Sequence, residues 1–285
     1  MMKITKMHGA GNDFVIADNR DGSLRPEALP ALAKRLCAFH TGVGADGMMV
    51  VMPAEKGGDY SMLFFNSDGS HGEMCGNGAR CICRYGHDRG LAGDIQRVET
   101  TAGLVTGQCV GETRYRVRLN DPSVIDLHRT VSAEGAEYDC AYIELGNPGI
   151  PHAVVLVDDW DTWETDRLQA LGRALRFAPA FPKGANVSFV KFSGSDSVKA
   201  VTYERGVEDF TLACGTGCGS IATALTLMGL VSGTDVSIGM PGGKLTVSLA
   251  REGERVRDIY LIGPTCLVFD GEVSDEFLEG LCRTY

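Results

Sequence analysis

The sequence predicts a mixed α/β chain built from two related halves, and three observations carry that prediction. Short β-branched runs closed by Gly, Pro, Asn or Asp recur along the chain: DFVIAD, GMMVVMPA, YSMLFF, RYRVRL, HAVVLVDD, NVSFVKF, KAVTYE, KLTVSL and CLVFDGEV. Such punctuation is what strands of antiparallel sheets require. Helical periodicity appears in PEALPALAKRLCAF, GNGARCICRYGHD, TDRLQALGRALRF and GTGCGSIATALTLMGL. The third observation is an internal echo: Cys75-Gly76-Asn77-Gly78-Ala79-Arg80-Cys81 is matched by Cys214-Gly215-Thr216-Gly217-Cys218-Gly219-Ser220.

Each member of the echo has a cysteine directly before Gly-x-Gly, follows a strand-like run, and opens a helix-compatible stretch. The two cysteines stand 139 residues apart, close to half of the 285-residue chain. Two related halves, each offering one cysteine at a helix N-terminus, would give this spacing. A different glycine motif, Gly42-Val43-Gly44-Ala45-Asp46-Gly47, fits the dinucleotide fingerprint in form only. A strand-like run follows it and none clearly precedes it, so it is read as a turn between helix and strand.

Composition narrows the function. The chain is 44% hydrophobic and 22% charged, the balance of a soluble globular protein, and it has no apolar run long enough for a bilayer. The start, MMKITKMHGAGNDF, carries no apolar core of a secretion signal, so a cytoplasmic location is expected. A net charge of −10 argues against a nucleic-acid partner. The ten cysteines include no C-x-x-C pair and no Cys/His run with zinc-ligand spacing. No metal is therefore expected, and most cysteines are expected to be small buried hydrophobes. Cys81-Ile82-Cys83, inside a helical stretch, is assigned to the core. His71 and His87 are assigned to the surface, and Asp158, Asp159 and Asp161 around Trp160 to a solvated turn and helix start.

Cys75 and Cys214 are set apart by their surroundings. A helix N-terminus stabilises a thiolate and lowers its pKa. The small neighbours leave backbone N–H groups able to bind a carboxylate. One motif can therefore activate a thiol and grip the α-carboxylate of an amino acid. Two such motifs on opposite faces of a planar carbanion would remove a proton from one side and return one to the other, inverting the centre. No recognisable motif marks a Lys anchor for pyridoxal phosphate. Fixed N–H dipoles in a dry site must then stabilise the charge, with no cofactor.

The blocks MHGAGNDF, FFNSDGSHGEMCGNGARC, GANVSF, TYERGV and ACGTG, in this order from about Lys6 to Gly243, resemble the diaminopimelate epimerase family. The resemblance implies two pseudo-symmetric domains, each a mixed, mainly antiparallel sheet wrapped around a central helix. It places the first domain at 1–120 plus 264–285 and the second at 121–263. It implies interconversion of LL- and meso-diaminopimelate, for lysine and peptidoglycan synthesis, with a small amino acid as the partner and a homodimer left open. Carried over by position, Cys75 and Cys214 match the catalytic cysteines, and Gly76, Asn77, Gly215 and Thr216 match the carboxylate-binding helix starts. Asn12, Asn66, Asn147, Asn186 and Arg205 match the substrate-binding set. Glu204 matches a residue that binds the substrate ammonium and tunes the thiols. His152 matches the histidine near one catalytic cysteine. Taken alone, Asn12 and Asn66 could equally shape turns.

Two departures from the family pattern bear on the substrate. Three residues, Gly149 to Pro151, separate Pro148 from His152 where the family reads G-N-P-H. Phe210 stands where the family commonly has a glutamate. If that carboxylate serves only loop N–H groups, Glu208 or Asp209 can replace it; if it bears on the pocket, Phe210 favours another amino acid. The alternatives are thus a racemase of the same fold acting on another amino acid, such as histidine, and a redox sensor in which Cys75 and Cys214 form a disulfide.

Overall fold

A computed structural model describes residues 1–72, 75–158 and 165–279. The chain divides into two compact units, Met1–Val117 with the segment from Gly263 on, and Arg118–Ile262. Among the described residues no helix is long and apolar enough to cross a membrane.

The first unit opens with β1 (Met2–Gly9), β2 (Asn12–Asp18), a short 3-10 turn and α1 (Leu29–Cys37). It continues through β3 (Gly47–Met52), β4 (Tyr60–Asn66), α2 (Gly76–Asp88), β5 (Ile95–Thr100), β6 (Gly103–Gly111) and β7 (Arg114–Arg118). The second unit holds β8 (Pro122–Ala133), β9 (Ala136–Leu145), β10 (Ile150–Leu156), α3 (Thr165–Arg176), β11 (Asn186–Gly194) and β12 (Ser197–Glu204). After the short β13 (Asp209–Thr211) come α4 (Gly215–Leu227), β14 (Val236–Met240), β15 (Gly243–Glu252) and β16 (Arg255–Pro264). The chain then returns to the first unit with β17 (Cys266–Val273) and α5 (Asp275–Leu278).

The two sheets follow one plan. In the first, β17, β1 and β2 pair antiparallel, β2 and β3 parallel, β3 and β4 antiparallel, β4 and β5 parallel, and β5, β6 and β7 antiparallel. In the second, β8, β9 and β10 pair antiparallel, then β10 and β11 parallel, and β11 and β12 antiparallel. There β12 and β14 run parallel, and β14, β15 and β16 antiparallel. Each parallel step is bridged by a helix, as parallel neighbours require. α1 and α3 bridge the first such step of their units, and α2 and α4 the second. The two halves announced by the cysteine echo are therefore topological copies.

Each sheet carries helices on both faces, which explains its unbroken apolar runs. On β2 and β3, Val15, Ala17, Met48 and Val50 pack with Leu29, Leu32, Ala33 and Leu36 of α1. Their alternating neighbours Phe14 and Met49 turn to the opposite face and meet Gly78 of α2. In the second unit Val187, Phe189 and Tyr203 join Leu168, Leu171 and Leu175 of α3. Ser188 points the other way, towards Gly217 of α4. α4 packs against β8, β9, β10, β11 and β15, and α2 against β1, β2 and β6. A helix enclosed this way is buried all round. Cys81, Ile82 and Cys83, three consecutive residues, are accordingly all buried.

Candidate functional site

Cys75 is the N-cap residue of α2 and Cys214 that of α4, both with extended backbone (φ −105°, ψ 121° and φ −115°, ψ 108°). The first intrahelical bonds run from Ala79 N to Cys75 O and from Cys218 N to Cys214 O. The amides of the three residues after each cysteine therefore point out of the helix start. Both cysteines occupy the same topological position, in the connection that bridges the second parallel step of their unit.

In the first unit Asn12 is held by Asp46, whose Oδ2 accepts from its Nδ2 at 2.5 Å. Its own Oδ1 faces the Cys75 thiol and the Asn77 amide, each at 3.3 Å. Arg80, fully buried, braces the helix start by donating to Asn77 Oδ1 at 3.0 Å and Gly76 O at 3.2 Å. Asp46 and Asp13 are in turn locked together, each backbone N–H donating to the other's carboxylate at 3.0 and 2.9 Å, and Asp13 pairs with Lys6 at 2.6 Å. Asp46 lies in the Gly42–Gly47 segment, which links α1 to β3 as a turn. Sequence reading passed over it because its role is to orient Asn12 from a distant loop, which no local spacing reveals. Asn66 bonds within its own turn, donating to Ser70 Oγ at 3.0 Å.

In the second unit His152 Nε2 lies 3.0 Å from Thr216 Oγ1, and that hydroxyl lies 3.7 Å from the Cys214 sulfur. His152 is completely buried, and its Nδ1 has no hydrogen-bond partner among the described residues. Burial, with the Arg205 charge adding, pushes its pKa down to about 3, so the ring is neutral. Asn186 sits beside it in register on the neighbouring strand. Asn186 donates to Pro151 O at 3.1 Å and accepts from Arg205 N at 2.8 Å. The Arg205 guanidinium is exposed and donates to Lys183 O at 3.1 Å. Gly217 is fixed by space, since a Cβ there would stand 3.1 Å from the Cys214 Cβ and 3.2 Å from its sulfur.

The thiol of Cys214 departs from the expectation of a lowered pKa. Burial and the Glu204 carboxylate push it well above the usual thiol value, outweighing the Gly217 N–H and the Thr216 hydroxyl. Glu204 accepts from Thr211 Oγ1 and is half-buried. Desolvation of a fully enclosed thiol is larger than the stabilisation one helix start supplies.

Both departures from the family pattern find a place in the second unit. Gly149 to Pro151 lengthen the β9–β10 hairpin, and Ile150 and Pro151 already pair with Leu145 and Glu144 before His152 is reached. Asn147 lies exposed in the hairpin turn, joined to Pro148 by a cis peptide bond. It makes no described contact with His152, Asn186 or Arg205. Phe210 packs edge-on to Tyr203 at 5.8 Å between ring centres and lies 6.3 Å from Phe189. It thus belongs with the apolar cluster under α3. Glu208 serves the loop, its Oε1 accepting from Gly206 N at 2.9 Å and from Arg176. Of the other residues singled out in the sequence, His71 is exposed and His87 partly so. Asp159, Trp160 and Asp161 fall outside the described residues.

Solved structures share this architecture. A phenazine biosynthesis protein of the PhzF family from Bacillus anthracis superposes with a TM-score of 0.71 at 16% identity, over 96% of this chain and 99% of its own. A probable proline racemase from Agrobacterium radiobacter K84 gives 0.71 at 15% identity, over 96% and 93%. The chain thus has the two-unit fold of PhzF- and proline-racemase-like proteins. Its sequence matches the diaminopimelate epimerase family model over residues 4–125 and 145–268. It is 41% identical over 288 aligned positions to the diaminopimelate epimerase of Aquifex aeolicus, spanning 98% of this chain and all of that one. The chain belongs to the diaminopimelate epimerase family and is an isomerase.

Proposed function

We propose that the chain interconverts LL- and meso-diaminopimelate by moving the α-proton between Cys75 and Cys214, without a cofactor. The observation that carries this reading is the repeat of one device. Each unit places a cysteine at the N-cap of its enclosed central helix, with outward-pointing amides beside it. Those amides suit the reacting carboxylate, whose second negative charge develops as the α-proton leaves. Cys75, fixed by Asn12, works on one face of the α-carbon; Cys214, beside Thr216 and His152, works on the other.

Burial and Glu204 keep the resting Cys214 protonated, so it is poised to deliver a proton, and the role passes to Cys75 when the opposite isomer binds. His152 holds Thr216 without adding charge. Glu204 suits the substrate ammonium, and the exposed Arg205 suits the distal carboxylate through a two-point grip. The placement of Phe210 in the α3 cluster supports the same substrate, because the residue that departs from the family leaves the polar set unchanged. Lysine and peptidoglycan synthesis in the cytoplasm is the setting this reading implies.

The test is α-deuteration in D₂O with LL-diaminopimelate beside a panel of L-amino acids that includes histidine. Exchange confined to diaminopimelate is expected. Exchange with another amino acid instead would transfer the reading to a racemase of that compound. No exchange with any of them would refute it and leave thiol redox chemistry as the alternative.

A further inference from the structure

At the far end of α2 from Cys75, three side chains from three elements converge. His87 comes from the last turn of α2, Asp94 from the loop that follows, and Cys109 from β6. One ligand atom of each lies within 4.8 Å of the others. His87 Nε2 is 3.2 Å from Asp94 Oδ1, close to the edge of a zinc tetrahedron with bonds near 2.0–2.1 Å, which is about 3.3 Å. Asp94 is well exposed and His87 partly so, and rotation of both closes the remaining gap to the sulfur.

A second observation points to a ligand here. The Tyr115 hydroxyl is completely buried and, among the described residues, has the Cys109 thiol in place of a nitrogen or oxygen partner. The thiol itself donates to Gly111 O at 3.4 Å. A metal-bound sulfur loses that proton and turns from a weak acceptor into a strong one, which strengthens the bond from the Tyr115 O–H. On the other side Asp88 Oδ1 stands 3.7 Å from His87 Nδ1. A small rotation of the half-exposed ring brings that carboxylate within hydrogen-bond reach of Nδ1, the support that turns Nε2 towards a metal.

We propose that His87, Asp94 and Cys109 form a binding site for a zinc-class divalent cation, distinct from the two cysteine helix starts. Sulfur, imidazole and carboxylate together suit zinc or cobalt and not magnesium or calcium, which take oxygen ligands. Three protein ligands leave the fourth position to water. On binding, the Cys109 S–H bond breaks, its proton passes to solvent, and an S–metal bond forms. The cation then ties the C-terminal end of α2 to β6. Neighbours along the sequence gave no hint of this, because the ligands are spread over 23 positions and meet only through the α2–β6 packing.

The test is titration of the full-length protein with CoCl₂, read by thiolate-to-cobalt charge-transfer absorption, with ZnCl₂ as competitor and thermal unfolding in parallel. One equivalent of Co²⁺ should give the band, and Zn²⁺ should bleach it and raise the melting temperature. Cys109→Ser should abolish both effects. His87→Gln should weaken Co²⁺ binding by about tenfold or more, and Cys75→Ser should leave the band in place. A band that survives in Cys109→Ser, a band lost only in Cys75→Ser, or no band from the parent protein at excess metal would overturn the proposal. His87→Gln keeps the test informative should Cys109→Ser fold poorly.

Discussion

Replacing His152 with glutamine should flatten the loss of stability that the protein suffers between neutral and mildly acid pH. The ring is completely buried beside Thr216, and its pKa falls from 6.5 to about 3 on folding. Below pH 6.5 the unfolded chain binds a proton that the folded chain refuses. Stability contributed by the neutral ring is therefore complete above 6.5 and lost as the pH falls through the window down to about 3. Each step of one pH below 6.5 costs about 1.4 kcal/mol, so roughly 2 kcal/mol is gone by pH 5.0. The carboxylates held below their usual range, among them Asp18, Glu99 and Glu144, weaken folding only at lower pH and do so in both proteins alike. Urea unfolding of parent and His152→Gln at pH 7.0, 6.0 and 5.0 reads the difference directly. The parent should lose roughly 2 kcal/mol more than the variant between pH 7.0 and 5.0. Equal losses, or a folded-state imidazole NMR signal that titrates near 6.5 and is missing from His152→Gln, would refute the argument.

Gly86→Ala should destabilise the first unit by about 2 kcal/mol although alanine favours a helix, because overpacking outweighs propensity. The new Cβ would meet Tyr60 Oη at 2.5 Å and Gln96 Oε1 at 2.7 Å, which are bonded to each other, while Tyr60 Oη also donates to Ile82 O and Gln96 Nε2 to Cys83 O; a lowered melting temperature checks this. Phe210→Ala should cost about 2 kcal/mol through lost packing on Tyr203 and Phe189, while the substrate panel stays unchanged in the deuteration assay. Alkylation of the native protein at pH 8, mapped by mass spectrometry, should modify Cys266, Cys75 and Cys109. It should spare Cys37, Cys81, Cys83 and Cys140, whose thiols burial pushes up to about 12.

The helices α1 to α4 were legible from their periodicity, whereas the one-turn α5 was not. GNGARCICRYGHD became Gly76–Asp88, residue for residue, and TDRLQALGRALRF became Thr165–Arg176. The strands that face helices on both sides were equally plain, since burial makes them continuous apolar runs, as in GMMVVM. Others were not. β8 alternates between exposed and half-covered residues over most of its length, and β6 carries Gly103, Gly107 and Gly111, so neither shows a run that stands out from a loop. The candidate site was legible where chemistry and spacing coincide, at Cys75 and Cys214. The Asp46 clamp on Asn12 and the His152–Thr216 contact depend on strand register and loop closure, which a linear pattern does not encode. The high pKa of Cys214 escaped for a further reason. Sequence identifies the helix start that favours a thiolate, while the burial that opposes it appears only once α4 is enclosed by its sheet.

The central claim is that two different thiols handle the proton on the two faces of one α-carbon. The most direct measurement is the initial course of isotope uptake when LL-diaminopimelate is converted in D₂O. A two-thiol mechanism predicts that the first meso product carries deuterium at the inverted carbon while the remaining LL substrate carries none. It further predicts that Cys75→Ala and Cys214→Ala each lose inversion. Deuterium appearing in unconverted substrate as fast as in product, or inversion at near the parent rate in either variant, would contradict it.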